Sequence, residues 1–412
     1  MTNLADFFEG ISAKRLSAVE TQPLVSRQHE FNGTVAMKGF LGLNRCCYSA
    51  QFIYIGGDEN DSVSLESNVT WYDARERNPD RSEYRLYFCD NEVMDRASED
   101  DIVIIALDKN GKILLLILSS ESENVEEVLW LFGIKGVLGT KFETVDIEVE
   151  NINSCSLFVY LTEQIGIELS FPEDDEWIDL LLEKFGVRFP TTRELSCLAK
   201  DTLGNDVSPV DAPDESLILM MDREEVLFRQ LERYIVGLHL EKHAASWTED
   251  VDAFVKFSLS VQNRRKSRAG HALENHLEWI FQKNNLKFNR GVVTESRSKP
   301  DFLFPGRAQY IDGGFPETGL TMLGVKTTCK DRWRQVLNEA KRIPEKHLLT
   351  LQPAISNHQT NEMREAGLTL VLPRAIHKSY SEKQRTEIID IETFIDNVSE
   401  KWNRHPLYLA TT

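Results

Sequence analysis

Pro300-Asp301, Lys326 and Glu339 are the residues of this chain whose types and spacing can do chemistry together. An acid, a lysine and a second acid at these separations can meet around one phosphate. Hydrolysing a phosphodiester requires a water made nucleophilic, a Lewis acid on the scissile oxygens and stabilisation of the leaving 3′ oxygen. Magnesium asks a protein for only one or two carboxylates, taking the rest of its shell from water and substrate. Asp301 and Glu339 can be the metal ligands for Mg2+. Lys326, aimed at the same point, can orient or deprotonate the attacking water and offset charge in the transition state.

Those three side chains need elements that carry them to one place. The apolar run Leu320 to Val325 predicts a buried strand ending at Lys326, and Phe302-Leu303-Phe304 predicts a neighbouring strand just after Asp301. Trp333, Val336, Leu337 and Ala340 repeat at helical spacing until Pro344, so Glu339 is expected on the helix after the lysine strand. In the commonest nuclease pattern an acid stands two residues before the lysine, but here that position is Gly324. Glu339 is the natural replacement. Taken singly, each residue has a plainer reading: a snorkelling lysine, or a surface glutamate paired with a base.

Glu274 is a fourth candidate acid, on the flank of a helix whose apolar stripe is Ala269, Leu273, Leu277 and Ile280. The cluster Arg264, Arg265, Lys266 and Arg268 just before it is expected to bring DNA phosphate to that helix start. Arg332, Gln335, Glu339 and Arg342 share one face at spacings of three, four and three. Lys330, Asp331 and Arg332 can read G and C pairs, since a guanidinium contacts guanine bidentately and an aspartate accepts from cytosine. The plainer alternative makes Asp331 a helix N-cap.

At 412 residues, 41% hydrophobic and 27% charged, the chain reads as globular and divided into two domains. We expect residues 1–170 as an N-terminal β domain, 171–215 as an acidic linker with short helices, and 216–412 as an α/β domain. Ile102 to Leu107 and Ile113 to Leu118 flank Asp108-Lys109-Asn110-Gly111, a strong hairpin signal; Cys155 to Leu161 predicts a further strand. Helices are expected at 176–185, 192–199, 222–239 and 249–261. The net charge of -19 argues only weakly against DNA, because a groove responds to the local field within about 10 Å. Residues 163–183 carry eight acids and no base. That stretch is a solvated linker, or a phosphate mimic that holds an empty cleft closed. The apolar runs are far shorter than the roughly 20 residues a membrane helix needs. Met1 to Asp6 lacks a basic start, so no secretory signal and a cytoplasmic location are expected. Six cysteines form no C-x-x-C pair, which indicates neither zinc nor redox chemistry.

The strings Asn263 to Gly270, Leu273-Glu274, Lys299 to Pro305, Val325 to Gln335 and Leu337 to Ala340 closely resemble the catalytic half of the EcoRII-type restriction endonucleases. Lys14 to Ala18, Trp71 to Arg75 and Arg81 to Arg85 more faintly resemble that family's effector-DNA domain. The resemblance implies an N-terminal all-β, B3-like pseudobarrel and a C-terminal α/β domain of the PD-(D/E)XK class. It implies Mg2+-dependent cleavage of double-stranded DNA to 5′-phosphate products at an unmethylated CC(A/T)GG-type site. A homodimer formed through the catalytic domain would cut, with a DNA methyltransferase as companion. The N-terminal domain would bind a second copy of the site and block the cleft when empty. By the same resemblance Asp301, Lys326, Glu339 and Glu274 take active-site roles, and Lys330, Asp331 and Arg332 read outer C·G pairs. Arg81, Glu83 and Arg85 fall on one DNA-clamping arm, with Lys14, Arg15, Arg27 and Gln28 near the other. The family cradles an extruded central base with an arginine and a tyrosine; Glu225 and Phe228 align there, with Arg223 nearby. Phe228 can stack on a base, whereas Glu225 cannot replace a cation. Rival readings are a DNA-binding regulator with a silent nuclease fold, and a structure-specific repair nuclease.

Overall fold

The computed structural model describes residues 7–21, 29–57, 61–77, 81–145, 162–163, 176–247, 250–329 and 332–404. The chain divides into two compact units, Met1–Pro172 and Glu173–Thr412. The segment read as a strand from Cys155, most of the acidic stretch, Arg27, Gln28, Lys330 and Asp331 lie outside the described residues.

Short alternating or doubly apolar runs build the first unit. Its strands are β1 (Phe8–Arg15), β2 (Glu30–Asn32), β3 (Cys46–Ile55), β4 (Ser62–Asp73), β5 (Tyr84–Phe88), β6 (Ile102–Asp108), β7 (Ile113–Leu118) and β8 (Glu143–Thr144). They form one sheet in the order β2-β5-β4-β3-β7-β6-β1-β8. The β6–β7 hairpin closes as its sequence predicts: Gly111 takes φ 78°, and the Asp108 carboxylate accepts the Asn110 and Lys112 amides at 2.9 and 2.7 Å. Short helices α1 (Ala18–Thr21), α2 (Met37–Leu41), α3 (Glu92–Arg96) and α4 (Val125–Leu131) fill the connections. The sheet curls far enough that Phe31 on edge strand β2 meets Phe142 beside edge strand β8, ring centroids 5.9 Å apart. Leu16, Phe52, Trp71, Leu86 and Ile105 lie in the core this encloses, while Ile11, Ile53, Ile104 and Leu116 are buried outside that cluster.

The second unit begins earlier than its composition suggests. Helices α5 (Ile178–Phe185) and α6 (Thr192–Leu203), read above as parts of a linker, bury Leu181, Phe185, Leu195 and Leu198 against Leu227, Phe228 and Leu231. Both are amphipathic, and their apolar stripes need a partner that an acidic linker would not offer. That partner is α7 (Pro213–Trp247), which also packs against α8 (Val251–Lys283). The two helices expected at 249–261 and after 267 are one: nothing between Asn263 and Ser267 breaks a helix. The basic cluster therefore lies in mid-helix, so the expectation that it binds phosphate at a helix start fails.

A five-stranded sheet, ordered β13-β12-β11-β10-β9, forms the centre of this unit. Its strands are β9 (Asn289–Arg290), β10 (Phe302–Phe304), β11 (Thr321–Lys326), β12 (Lys346–Thr350) and β13 (Leu368–Val371). β11, β12 and β13 are parallel, whereas β10 runs antiparallel to β11 with Phe302 opposite Leu323. Helices α9 (Arg307–Ile311), α10 (Trp333–Leu337), α11 (Asn357–Glu365), α12 (Glu382–Arg385) and α13 (Ile391–Asn403) complete it. Phe281 of α8 and Phe394 of α13 pack on Phe304 at 5.4 and 5.7 Å, which defines one face. By strand alternation Met322, Gly324 and Lys326 belong to the opposite face.

Candidate active site

Antiparallel pairing places the start of β10 beside the end of β11, and this brings Asp301 to Lys326. The lysine Nζ lies 3.0 Å from Asp301 Oδ2, and the same oxygen accepts the Val325 amide at 2.7 Å. The Asp301 carbonyl is fixed in turn by the Gly291 amide at 3.0 Å. Lys326 Nζ also donates to the Val325 carbonyl at 2.9 Å, so the ammonium is held rather than free to swing.

Glu339 reaches the pair by a different route from the one its sequence suggests. α10 ends at Leu337, and Glu339 lies in the turn that follows, with Ala340 at φ 43°. Burial pushes its carboxyl up to about 7, the nearby Asp301 charge adds to this, and Lys326 and Lys346 oppose it. Its Oε2 is buried without a hydrogen-bond partner. Gly324, at the customary acid position, has no room for a side chain: a Cβ there would stand 2.9 Å from Val336 Cγ2 and 3.0 Å from Cγ1. The helix that precedes Glu339 thus fills the space that the more usual acid would need.

Two carboxylates and a lysine converge. Among the described residues no group of three His, Cys, Asp or Glu side chains is placed to hold a metal ion. Glu274, expected as a fourth active-site acid, is instead engaged by Arg290, whose Nη2 lies 2.7 Å from Glu274 Oε2. Arg290 also takes Glu278 at 2.7 Å and Asn275 at 2.8 Å, so Glu274 belongs to a brace between α8 and β9. An ion pair already formed in this half-buried setting leaves that carboxylate little reason to turn toward Asp301.

The turn bearing Glu339 has supports that the sequence did not disclose. Lys346, 4% exposed, donates from Nζ to the carbonyls of Ala340 at 2.7 Å and Ile343 at 2.5 Å. Glu295 accepts Tyr310 Oη at 2.7 Å and also the Lys341 amide. Arg342, expected on a continuous helix face with Arg332, lies beyond the helix and donates to the carbonyls of Tyr310, Asp312 and Phe315. It is a staple for the loop after α9. The only warning in the sequence is that Lys346 opens an apolar strand after Pro344.

The basic cluster splits by face. Arg264 and Lys266 are exposed, and the Arg264 guanidinium lies 4.1 Å from the Phe189 ring centroid. Arg265 pairs with Glu232 at 2.8 Å, and the buried Arg268 pairs with Glu225 and stacks on Phe228 at 4.3 Å. Glu225 further takes Arg229 at 2.6 Å, and His276 stands 2.8 Å from Glu224. Arg265 and Arg268 therefore serve the α7–α8 contact, because acids on α7 draw them inward. Phe228, 3% exposed between Phe189 and Arg268, is a core residue and cannot stack on an extruded base in this arrangement. Arg332 is exposed and takes the cap position of α10, the place the plainer reading gave to Asp331.

In the first unit the alternation of β1 turns Lys14 inward. It is 4% exposed, pairs with Glu20 and lies 5.6 and 5.1 Å from the rings of Phe31 and Phe142, so it is unavailable to DNA. Arg15 is half-buried and donates to the Asp100 carbonyl at 2.9 Å. Around the β4–β5 connection Arg81 is exposed, while Glu83 bridges Arg75 and Arg85 at 2.6 Å each. Those two hydrogen bonds, from Arg85 first and Arg75 second, hold the Glu83 carboxyl below its ordinary range. Lys38 lies 4.2 Å over the Tyr84 ring and Arg45 lies 5.6 Å from that of Tyr72. These two cations were missed in the sequence; of the arginines expected here, Arg75 and Arg85 are ion-paired with Glu83 and Glu30.

Comparison with known proteins gives a consistent picture. The family described as EcoRII C terminal matches residues 228–395, a span that holds Asp301, Lys326 and Glu339. The chain is 43% identical over 218 residues to the type II restriction enzyme EcoRII of Escherichia coli, covering 52% of each chain. It is 26% identical over 159 residues to the type II restriction enzyme SsoII of Shigella sonnei, covering 35% of this chain and 51% of that one. The chain thus spans about half the length of the curated relatives it matches. A solved structure of metal-depleted Ecl18kI with uncleaved, modified DNA superposes with a TM-score of 0.45 at 21% identity, over 56% of this chain and 84% of that one.

Proposed function

We propose that the protein is a type II restriction endonuclease, a reading supported by the match of residues 228–395 to the EcoRII C-terminal family model and by the 43% identity to EcoRII over 218 residues. Its reaction is hydrolysis of double-stranded DNA to 5′-phosphate and 3′-hydroxyl ends at a CC(A/T)GG-type site. The observation that carries this reading is the 3.0 Å contact of Lys326 with Asp301, in the field of a buried, partner-free Glu339 oxygen. An acid held near neutrality beside another acid is a place where a cation would be welcomed. The donor set, carboxylate oxygens only, suits a hard ion such as Mg2+, and two protein carboxylates are as many as that ion ordinarily requires.

Asp301 and Glu339 would hold the metal, which supplies Lewis acidity at the scissile phosphate and acidifies a bound water. Lys326, kept in place by Asp301 and the Val325 carbonyl, orients the attacking water through Nζ and offsets charge on the phosphoryl oxygens. Ionisation of Glu339 is required before it can act as a ligand, so Mg2+ and a proton compete for it and metal affinity weakens as pH falls below about 7. Arg264, Lys266 and Arg332, all exposed, would contact DNA backbone or base edges, with Lys330 and Asp331 beside Arg332 as base readers.

The B3-like reading of the first unit is supported by its curled sheet and by the cations Lys38, Arg45 and Arg81. There a second copy of the site would bind as effector and relieve autoinhibition. Each chain carries one Asp301–Lys326 pair, so a double-strand cut calls for two copies. A homodimer is supported by the exposed apolar residues Tyr234, Leu238, Val251, Phe254, Val255 and Leu259 on the outer parts of α7 and α8. A companion methyltransferase and a cytoplasmic setting follow from the same reading. Incubating the protein with plasmid and Mg2+, then sequencing the fragment ends, tests the whole. Discrete ends at one short site are expected. Random nicks would point to a repair nuclease, and tight binding without cutting to a regulator.

A further inference from the structure

We infer that Lys346 is a positioning residue for the reaction: it fixes the turn that presents Glu339 to Asp301 and Lys326. The inference rests on the endonuclease reading above and goes beyond it, since no chemistry of that reading calls on Lys346. The residue opens β12 and is 4% exposed. Burying an ammonium is costly unless it is bonded and balanced by charge. Its hydrogen bonds go to the carbonyls of Ala340 at 2.7 Å and Ile343 at 2.5 Å, either side of the turn next to Glu339. The charges that act on it are those of Glu295 and Glu339.

A merely packed side chain would not be a lysine. A methionine could occupy the same volume, but the Ile343 carbonyl would lose the Lys346 donor, the Ala340 carbonyl would keep only the Ile343 amide at 2.9 Å, and the turn would lose its support from below. That support matters because α10 stops at Leu337 and Ala340 sits at φ 43°, a backbone region that L residues seldom adopt unaided. From the other side Glu295 draws in the Lys341 amide while holding Tyr310 Oη at 2.7 Å, and Tyr310 Oη also accepts the Arg342 amide at 3.2 Å. The turn is thus clamped between Lys346 and the Glu295–Tyr310 pair. With Nζ buried and directed at two backbone carbonyls, Lys346 acts through Glu339 rather than on the phosphate.

The test uses the full-length protein and three readouts: DNA affinity without metal, single-turnover cleavage at saturating DNA, and amide hydrogen exchange over residues 339–343. For Lys346→Met we expect DNA affinity within about twofold of the parent and a cleavage rate lower by about 30-fold or more. That is the scale on which small misplacements of a reacting group act. Exchange of the 341 and 343 amides should quicken while that of β13 does not. Tyr310→Phe, which leaves the fold's apolar packing intact, should give a smaller loss of the same kind, about three- to tenfold. Cleavage at the parent rate by Lys346→Met, or DNA affinity falling in step with cleavage, overturns the inference. Should Lys346→Met not fold, a parent-like rate in Tyr310→Phe overturns it. A parent protein that cuts no DNA would strike at the endonuclease reading instead, and unchanged exchange at 339–343 would then still decide against Lys346.

Discussion

Replacing Glu339 with glutamine should make the metal-free protein more stable at pH 8 while abolishing cleavage. The folded-state carboxyl is raised from 4.5 to about 7, chiefly by burial and then by Asp301. The folded protein therefore holds this proton more tightly than the unfolded chain does. The resulting stability is complete below about pH 4.5, declines as pH rises toward 7, and is absent above it. At roughly 1.36 kcal/mol per pH unit the upper limit is about 3 kcal/mol. Because Glu339 keeps partial solvent access, a realistic figure is about 1–2 kcal/mol. Glutamine is uncharged at every pH, so Glu339→Gln should escape that decline and also the repulsion by Asp301. Urea unfolding between pH 5 and pH 8 without divalent cations measures it. The parent's midpoint should fall across this range, with the variant's midpoint level and higher at pH 8. Adding Mg2+ should stabilise the parent, by about 2.7 kcal/mol at a hundredfold excess over Kd, and leave the variant unmoved. Equal midpoints at pH 8 without metal would refute the argument that burial and Asp301 outweigh Lys326 and Lys346 at Glu339.

Lys326→Ala should lower cleavage by at least about a thousandfold with metal-free DNA binding retained in a gel-shift assay, since it removes the ammonium but no exposed contact. Gly324→Asp should cost about 1–3 kcal/mol in a denaturant melt, because its Cβ meets Val336 at 2.9 Å. Pairing Gly324→Asp with Val336→Ala should restore part of the cleavage lost in Glu339→Gln, whereas Gly324→Asp alone should not. Leu181→Ala or Leu195→Ala should each cost about 2–5 kcal/mol in the isolated 176–412 fragment, a loss that a true linker would not suffer. Analytical ultracentrifugation of Val255→Glu with Leu259→Glu should show a shift to monomer and loss of double-strand cutting.

The order of the site residues along the chain was legible without coordinates because each depends on a local pattern. A polar residue ending an apolar run must emerge at the end of a strand, and Asp301 ahead of Phe302-Leu303-Phe304 must enter one. The β6–β7 hairpin was equally legible, since Gly111 supplies a conformation that few other residues accept. Helical spacing correctly located α5 and α6 but could not say what covers their apolar stripes.

What the chain's sequence determined by itself was a pair of strands bearing an acid and a lysine, and a glutamate close behind them. Tertiary packing decided the rest. Antiparallel registration set Asp301 against Lys326, and Val336 fills the space over Gly324 that an acid at that position would need. The helix meant to carry that acid ended early, because Lys346 and Glu295 bind the backbone of the turn beyond Leu337. Charged residues were hardest to place for the same reason. Lys14, Arg265 and Arg268 were expected to meet DNA and Glu274 to join the active site, yet each pairs with an opposite charge of this chain, Lys14 with nearby Glu20 and the others with charges on another element, and only the fold determines which charges meet.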